Sequence, residues 1–202
     1  MQELILEKKH DENRQGEAFA PKQITSAPFT KKFYIESYGC AMNFADSEVV
    51  ASILQKEGFG ITMQFEDADM IFINTCSIRE KAEVTVRRRL TEFRKMKKYK
   101  PELLVGVLGC MAERLKSKLL EQDRLVDIVC GPDAYRSIPH LISLAENKDG
   151  VANVMLSADE TYADVMPMRL DKDSVSGWVS VMRGCNNMCS FCIVPFTRGK
   201  YL

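Results

Sequence analysis

The sequence predicts an α/β protein built on an open, mostly parallel, doubly wound sheet. Three observations carry that prediction. From Lys32 onward, short apolar runs alternate with segments of helical periodicity. Several of the runs are apolar at consecutive positions, as strands covered on both faces are. Alternation of this kind joins parallel strands through right-handed helical crossovers, here roughly five or six strands over residues 31–156.

Phe33 to Tyr38 reads as the first strand. Asp46 to Glu57 carries helical spacing, with Val49, Val50, Ile53 and Leu54 on one face and Gly58 as its stop. Ile61 to Phe65 is a short strand, and Asp69 to Asn74 a continuous apolar one. Arg79 to Tyr99 is a long charged helix that ends before Pro101. Leu103 to Leu108 is a buried strand, Ala112 to Gln122 a helix and Val126 to Val129 a strand. Ala134 to Glu146 is helical again, and Val151 to Leu156 closes the sheet as an edge strand. Residues 1–30 are polar and of mixed charge and read as a flexible tail; residues 157–176 are irregular and acidic and read as a linker. Gly177 to Met182 reads as a new strand, with Trp178 in its core, and a cysteine-rich loop follows it directly. That is where a (β/α) barrel carries its chemistry, so residues 177–202 are expected to begin such a barrel.

Composition narrows the function classes. The chain has 202 residues, 46% of them hydrophobic and 28% charged, with zero net charge. No global charge draws it to nucleic acid or anionic lipid. No apolar run approaches the ~18 residues of a bilayer span, and the N-terminus lacks a signal-peptide core. A monomeric cytoplasmic protein with no membrane contact is expected. Seven cysteines without a secretory signal point to a reducing compartment, where clustered cysteines are metal ligands or redox groups rather than staples. His10 and His140 are the only histidines, too few to suggest histidine-based acid–base or zinc chemistry.

Cys185, Cys189 and Cys192 stand in the spacing C-x-x-x-C-x-x-C. One short loop can thus bring three thiolates to three corners of an iron–sulfur cube. Such clusters are usually held by four cysteines, so a missing fourth leaves one iron open for chemistry. The competing readings are a zinc loop, which normally pairs two C-x-x-C units, and chance spacing. A second pattern lies in the first domain. Tyr38-Gly39-Cys40, Asn74-Thr75-Cys76 and Leu108-Gly109-Cys110 each place a cysteine just past the end of a predicted parallel strand. In an open α/β sheet those ends share one edge, where ligands bind. Glycines beside Cys40 and Cys110 are expected to let backbone approach a bulky cluster. One cysteine after a strand is more often a small buried residue than a ligand; three at equivalent positions argue for ligation. Cys130 also follows a strand, and spacing alone leaves it open.

Weaker signals remain. Arg87, Arg88, Arg89, Arg94, Lys95, Lys97 and Lys98 make the long helix basic, which suits tRNA phosphate or, more commonly, a solvated face. Arg198 and Lys200 could meet an anionic group of cofactor or substrate. Asn43 and Asn74 sit beside cluster positions, where an amide hydrogen-bonds cluster sulfur or, more commonly, caps a helix.

Four motifs carry a family resemblance. Tyr38 to Asn43 with Asp46-Ser47-Glu48, Asn74 to Glu83, Gly109 to Ala112, and Gly184 to Gly199 together resemble the methylthiotransferases, a family of radical S-adenosylmethionine enzymes. The likeness runs from about Lys32 to Lys200 and is strongest to the tRNA-modifying branch. It implies an N-terminal methylthiotransferase domain, then a radical S-adenosylmethionine barrel and a small RNA-binding domain. It implies that Cys40, Cys76 and Cys110 hold an auxiliary 4Fe–4S cluster, and that Cys185, Cys189 and Cys192 hold the 4Fe–4S cluster that binds S-adenosyl-L-methionine. Cys130 matches no ligand and becomes a buried strand-end thiol. The implied reaction is methylthiolation of N6-dimethylallyladenosine next to the anticodon. A 5′-deoxyadenosyl radical abstracts hydrogen from the base, and the auxiliary cluster supplies sulfur. Implied partners are a tRNA anticodon stem-loop carrying that nucleoside and an electron donor such as flavodoxin or ferredoxin. The alternatives are methylthiolation of a ribosomal-protein aspartate and a non-catalytic iron–sulfur module. With the barrel broken off after its first loop, this 202-residue chain is expected not to turn over, and its second cysteine loop to be poorly held.

Overall fold

In the computed structural model, β1 (Lys32–Tyr38), β2 (Gly60–Ile61), β3 (Met70–Thr75), β4 (Leu104–Leu108), β5 (Ile128–Cys130) and β6 (Val151–Asn153) form one all-parallel sheet. Their order is β2-β1-β3-β4-β5-β6. The structure describes residues 29, 31–76, 80–116, 119, 126–147, 150–157, 160–170 and 177–199. The helices are α1 (Ala41–Lys56), α2 (Glu80–Tyr99), α3 (Cys110–Leu115), α4 (Ile138–Ala145) and α5 (Val194–Thr197). Single 3₁₀ turns stand at Phe65–Asp67 and Tyr135–Ser137.

The predicted doubly wound α/β sheet is what forms. Successive side chains on β3 alternate between two packed layers. Met70 and Phe72 join Val50, Leu54, Ile138 and Ile142 on the α1 and α4 side. Ile71 and Ile73 join Val86, Leu90, Phe93 and Met111 on the α2 and α3 side. Burial of each such side chain stabilises the fold by about 1.5–3 kcal/mol, so β3, buried at all its positions, is the spine of the domain.

Element ends differ from expectation in instructive ways. Helix α1 starts at Ala41, a full turn before the expected Asp46, because Cys40 in extended backbone serves as its N-cap without a side-chain cap. The second and sixth strands are shorter than predicted, each at or next to a sheet edge where pairing is one-sided. The expected helix at 134–146 splits into a 3₁₀ turn and α4, which opens with Pro139 in its first turn. The strand expected at 177–182 is not formed. A strand needs a neighbour to satisfy its backbone, and the six-stranded sheet offers none there. Trp178 is accordingly 59% exposed rather than core. Irregular chain at 160–170 packs across α1, with Met168 N donating to Glu48 O at 3.2 Å and Tyr162 and Val165 in the core. The expected tail at 1–30 lies outside the described residues apart from Phe29. Among the described residues no helix is long and apolar enough to cross a membrane.

Candidate functional site

The sheet order reverses direction between β1 and β3, the crevice where open parallel sheets bind ligands beyond their C-terminal ends. Register aligns those ends: Tyr38 pairs with Thr75, and Asn74 with Leu108. Cys40, Cys76 and Cys110 follow these three strands and so meet at one corner of the sheet.

Two glycines make the meeting possible. Gly39 has φ +124° and Gly109 has φ +84°, backbone that side-chain-bearing residues rarely adopt. A Cβ on Gly39 would collide with the Cβ of Cys76, and one on Gly109 with Oδ1 of Asn74. These glycines therefore let the strand exits approach one another.

Beneath the cysteines lies a buried amide pair. Asn43 Nδ2 donates to Asn74 Oδ1 at 3.0 Å, and Asn74 Nδ2 donates to Asn43 O and Ser47 Oγ, each at 3.0 Å. The side-chain amides of the two asparagines thus bond to each other rather than capping a helix. They lock α1 to the end of β3, while Cys40 Sγ donates to Asn43 Oδ1 at 3.3 Å.

The three thiols differ electrostatically. Cys40 is half-buried, and its pKa is pulled down to about 5. A hydrogen bond from Cys76 is the chief cause; burial opposes it, and the backbone N–H groups of Asn43 and Met42 and the charge of Arg198 assist. Its position at the N-terminus of α1 suits a thiolate. Cys110 is 5% exposed, and burial pushes its thiol up against the pull of Arg198.

Arg198 comes from the far end of the chain. Its Nε donates to Cys110 Sγ at 3.0 Å, and its Nη1 lies 2.6 Å from Asp46 Oδ2. Its Nη2 is buried without a hydrogen-bond partner among the described residues. Tyr135 OH also donates to Asp46 Oδ2, at 3.0 Å. Arg183 places Nη1 3.7 Å from Asp46 Oδ1, donates to Pro132 O at 2.9 Å, and stacks over the Tyr162 ring at 4.6 Å. These two arginines flank the second cysteine motif. They tie its flanks to the first domain; Cys185 N donates to Gly199 O at 3.2 Å, and within the loop Cys192 N donates to Cys189 O at 3.0 Å. Cys189 at the apex is exposed, and Cys185 and Cys192 are partly so.

A 4Fe–4S cluster fits the first trio on the chemistry of its donors. Three thiols converge from three strand ends, one already acidic, with a cationic guanidinium whose buried Nη2 awaits an acceptor. Among the described residues no three His, Cys, Asp or Glu side chains are gathered as around a single metal ion. A cube sets a different requirement, since each thiolate binds a separate iron. Cys130 stands apart: it is fully buried in β5, its Sγ donates to Gly131 O at 3.6 Å, and burial pushes its thiol well above the ordinary range. On α2, Arg87 and Lys97 pair with Glu83 and Asp127, and Arg89 with Glu36 and Glu92, whereas Arg88, Arg94, Lys95 and Lys98 are exposed.

The profile of the uncharacterized protein family UPF0004 matches residues 32–131, from β1 to just past β5, and so takes in the first trio. A tRNA-2-methylthio-N(6)-dimethylallyladenosine synthase of Amoebophilus asiaticus is 55% identical over 204 residues, covering 99% of this chain and 42% of that protein. The chain belongs to the methylthiotransferase family. Another protein of the same name, from Christiangramia forsetii, is 56% identical over 96% of this chain and 40% of its own length. The human mitochondrial tRNA methylthiotransferase CDK5RAP1 is 53% identical over 84% of this chain and 29% of its own length. The chain spans about two fifths of the length of the two bacterial methylthiotransferases.

Proposed function

We propose that this chain provides the auxiliary-cluster domain, and the cofactor-binding cysteine loop, of an enzyme that methylthiolates N6-dimethylallyladenosine beside the anticodon of tRNA. The observation that carries the reading is the convergence of Cys40, Cys76 and Cys110 from three strand ends at the switch point of the sheet. In this reading they hold one 4Fe–4S cluster. Cys185, Cys189 and Cys192 hold a second, whose open iron takes S-adenosyl-L-methionine. When bound, the clusters supply the electron that cleaves the sulfonium of that cofactor and the sulfur that is transferred.

The chain's own residues prepare these sites. The hydrogen bond from Cys76 and the backbone N–H groups at the start of α1 lower the pKa of Cys40 and so ease the proton loss that binding iron requires. The Asn43–Asn74 lock fixes α1 and β3 so that Cys40 and Cys76 keep their spacing. Asp46 gathers Arg183 and Arg198 and so binds the second cysteine motif to the first domain. The names of the relatives, at 53–56% identity, favour tRNA over a ribosomal-protein aspartate as substrate. The proposed setting is the cytoplasm, as a monomer, with flavodoxin or ferredoxin as electron donor; exposed Arg88, Arg94, Lys95 and Lys98 on α2 offer phosphate contacts.

The test is anaerobic reconstitution with iron and sulfide. About eight irons per chain are expected, falling to about four when either trio is changed to alanine, with a spectral response to S-adenosylmethionine only while Cys185, Cys189 and Cys192 remain. Zinc in place of iron, or iron unaffected by changing Cys40, Cys76 and Cys110, overturns the assignment. For the substrate, nucleoside mass spectrometry of tRNA from cells dependent on the complete protein shows the methylthio group, and its persistence without the protein refutes the reading.

A further inference from the structure

Arg198 occupies an unusual place for a residue of the second cysteine motif. It follows Cys192 closely in sequence, yet its guanidinium lies in the first site, 4% exposed. Nε donates to Cys110 Sγ at 3.0 Å, Nη1 faces Asp46 Oδ2 at 2.6 Å, and Nη2 is buried with no hydrogen-bond partner among the described residues. A buried donor left without an acceptor costs about 1–3 kcal/mol, so an orphan beside three thiols points to an acceptor that belongs there. The acidic side of the guanidinium is already committed: Asp46 also accepts from Tyr135 OH and lies near Arg183. Neither Nη1 nor Nη2 makes a hydrogen bond among the described residues; Nη1 is ion-paired with Asp46, which leaves Nη2 for a further anion.

We propose that Arg198 is a positioning residue of the first cysteine site, supplied by the second motif, which hydrogen-bonds the Cys110 thiolate and raises the reduction potential of the cluster held there. The proposal rests on the ligand assignment above. A cation and a hydrogen bond at a cluster sulfur favour the reduced, more negative state. The second cysteine motif thereby completes the first site, and the potential of one cluster depends on a residue of the other's loop. Arg183 performs the complementary task of anchoring the loop at its start through Pro132 O and Asp133.

The measurement is a redox titration of the reconstituted chain in a C185A/C189A/C192A background, so that only the first cluster is observed. R198Q is expected to keep about four irons and to hold at least tenfold less reduced cluster at a fixed poise, a shift of about 59 mV downward for one electron. R198K, which keeps the charge and loses the fork, is expected to fall between R198Q and the parent. A potential unchanged in R198Q overturns the proposal, as does loss of iron from both variants, which reduces Arg198 to a structural tie. If the parent itself takes up no iron at Cys40, Cys76 and Cys110, it is the ligand assignment that fails.

Discussion

Asn43 and Asn74 hydrogen-bond each other in the interior of the protein, Nδ2 to Oδ1 at 3.0 Å, although 31 residues separate them. Both are fully buried. Asn74 returns the contact by donating to Asn43 O and to Ser47 Oγ, which is itself held by Ser37 Oγ at 2.6 Å. The first turn of α1, the end of β1 and the end of β3 are joined by this one network directly below Cys40 and Cys76. Polar networks at this depth give geometry when complete and are costly when broken.

Asn74→Ala is therefore expected to destabilise the chain by about 1–3 kcal/mol, since it strands the Asn43 side-chain N–H in the core, while Ser47 Oγ keeps Ser37 Oγ and Asn43 O. Urea denaturation of the cluster-free protein measures this. The same variant is expected to take up less iron at the first trio, because Cys40 and Cys76 lose their common brace. A loss below about 0.5 kcal/mol would show that the network is dispensable.

Gly39→Ala and Gly109→Ala test how closely the strand exits must approach. Each residue sits at positive φ, and each new Cβ meets a fixed neighbour, the Cβ of Cys76 or the amide of Asn74. Gly58 also has positive φ, at +86°, but faces open space. Gly58→Ala is expected to cost only the conformational strain, about 1–2 kcal/mol. The two site variants are expected to cost more and to lose iron uptake, with Gly58→Ala keeping it. Equal behaviour of all three in thermal denaturation and iron binding would refute the steric account.

Much of this arrangement was legible in the sequence, for identifiable reasons. Asp69 to Asn74 is a run apolar on both faces, and only a central parallel strand is buried that way. Three cysteines at three strand ends then had to share an edge, because parallel strands end together. Other features depended on tertiary packing. Cys40 is not among the side chains that usually cap helices, so the start of α1 was hidden. The Asn43–Asn74 pairing has no local signature. Asp46 did carry a clue: it stands one turn before Val49 and Val50 on the core side of α1, where a charge requires a partner. That clue called for cations, and Arg183 and Arg198 are those cations, well over a hundred residues later. Strand propensity in Gly177 to Met182 misled because propensity alone provides no neighbouring strand.

Cys130 separates a ligand from a core thiol. It ends β5 with no exposure, beside the residues of the α4 layer. Cys130→Ala is expected to leave the iron content unchanged. Cys130→Ser places a hydroxyl in the same apolar setting and is expected to destabilise by about 1–3 kcal/mol, again without change in iron. Loss of about half of the iron in Cys130→Ala would make it a ligand after all.

The acidity of Cys40 gives a pH dependence with a defined sign. In the unfolded chain its thiol titrates near the ordinary value for cysteine, about 8.5. In the folded, metal-free protein the hydrogen bond from Cys76, offset by burial and aided by the N–H groups of Asn43 and Met42, holds it at about 5. Folding therefore favours the thiolate, and the unfolded state binds more protons throughout that interval. The stabilisation is fully present above the unfolded value and declines as pH falls toward about 5, below which it is gone. Comparing the parent with Cys40→Ser across pH 5–9 isolates the effect, since the serine variant lacks the titrating group. The parent's unfolding free energy is expected to rise more steeply with pH than the variant's, and Cys40 is expected to react with iodoacetamide with a midpoint near 5. Parallel stability profiles, or an alkylation midpoint above 8, would show that Cys40 is an ordinary thiol and that iron must displace its proton.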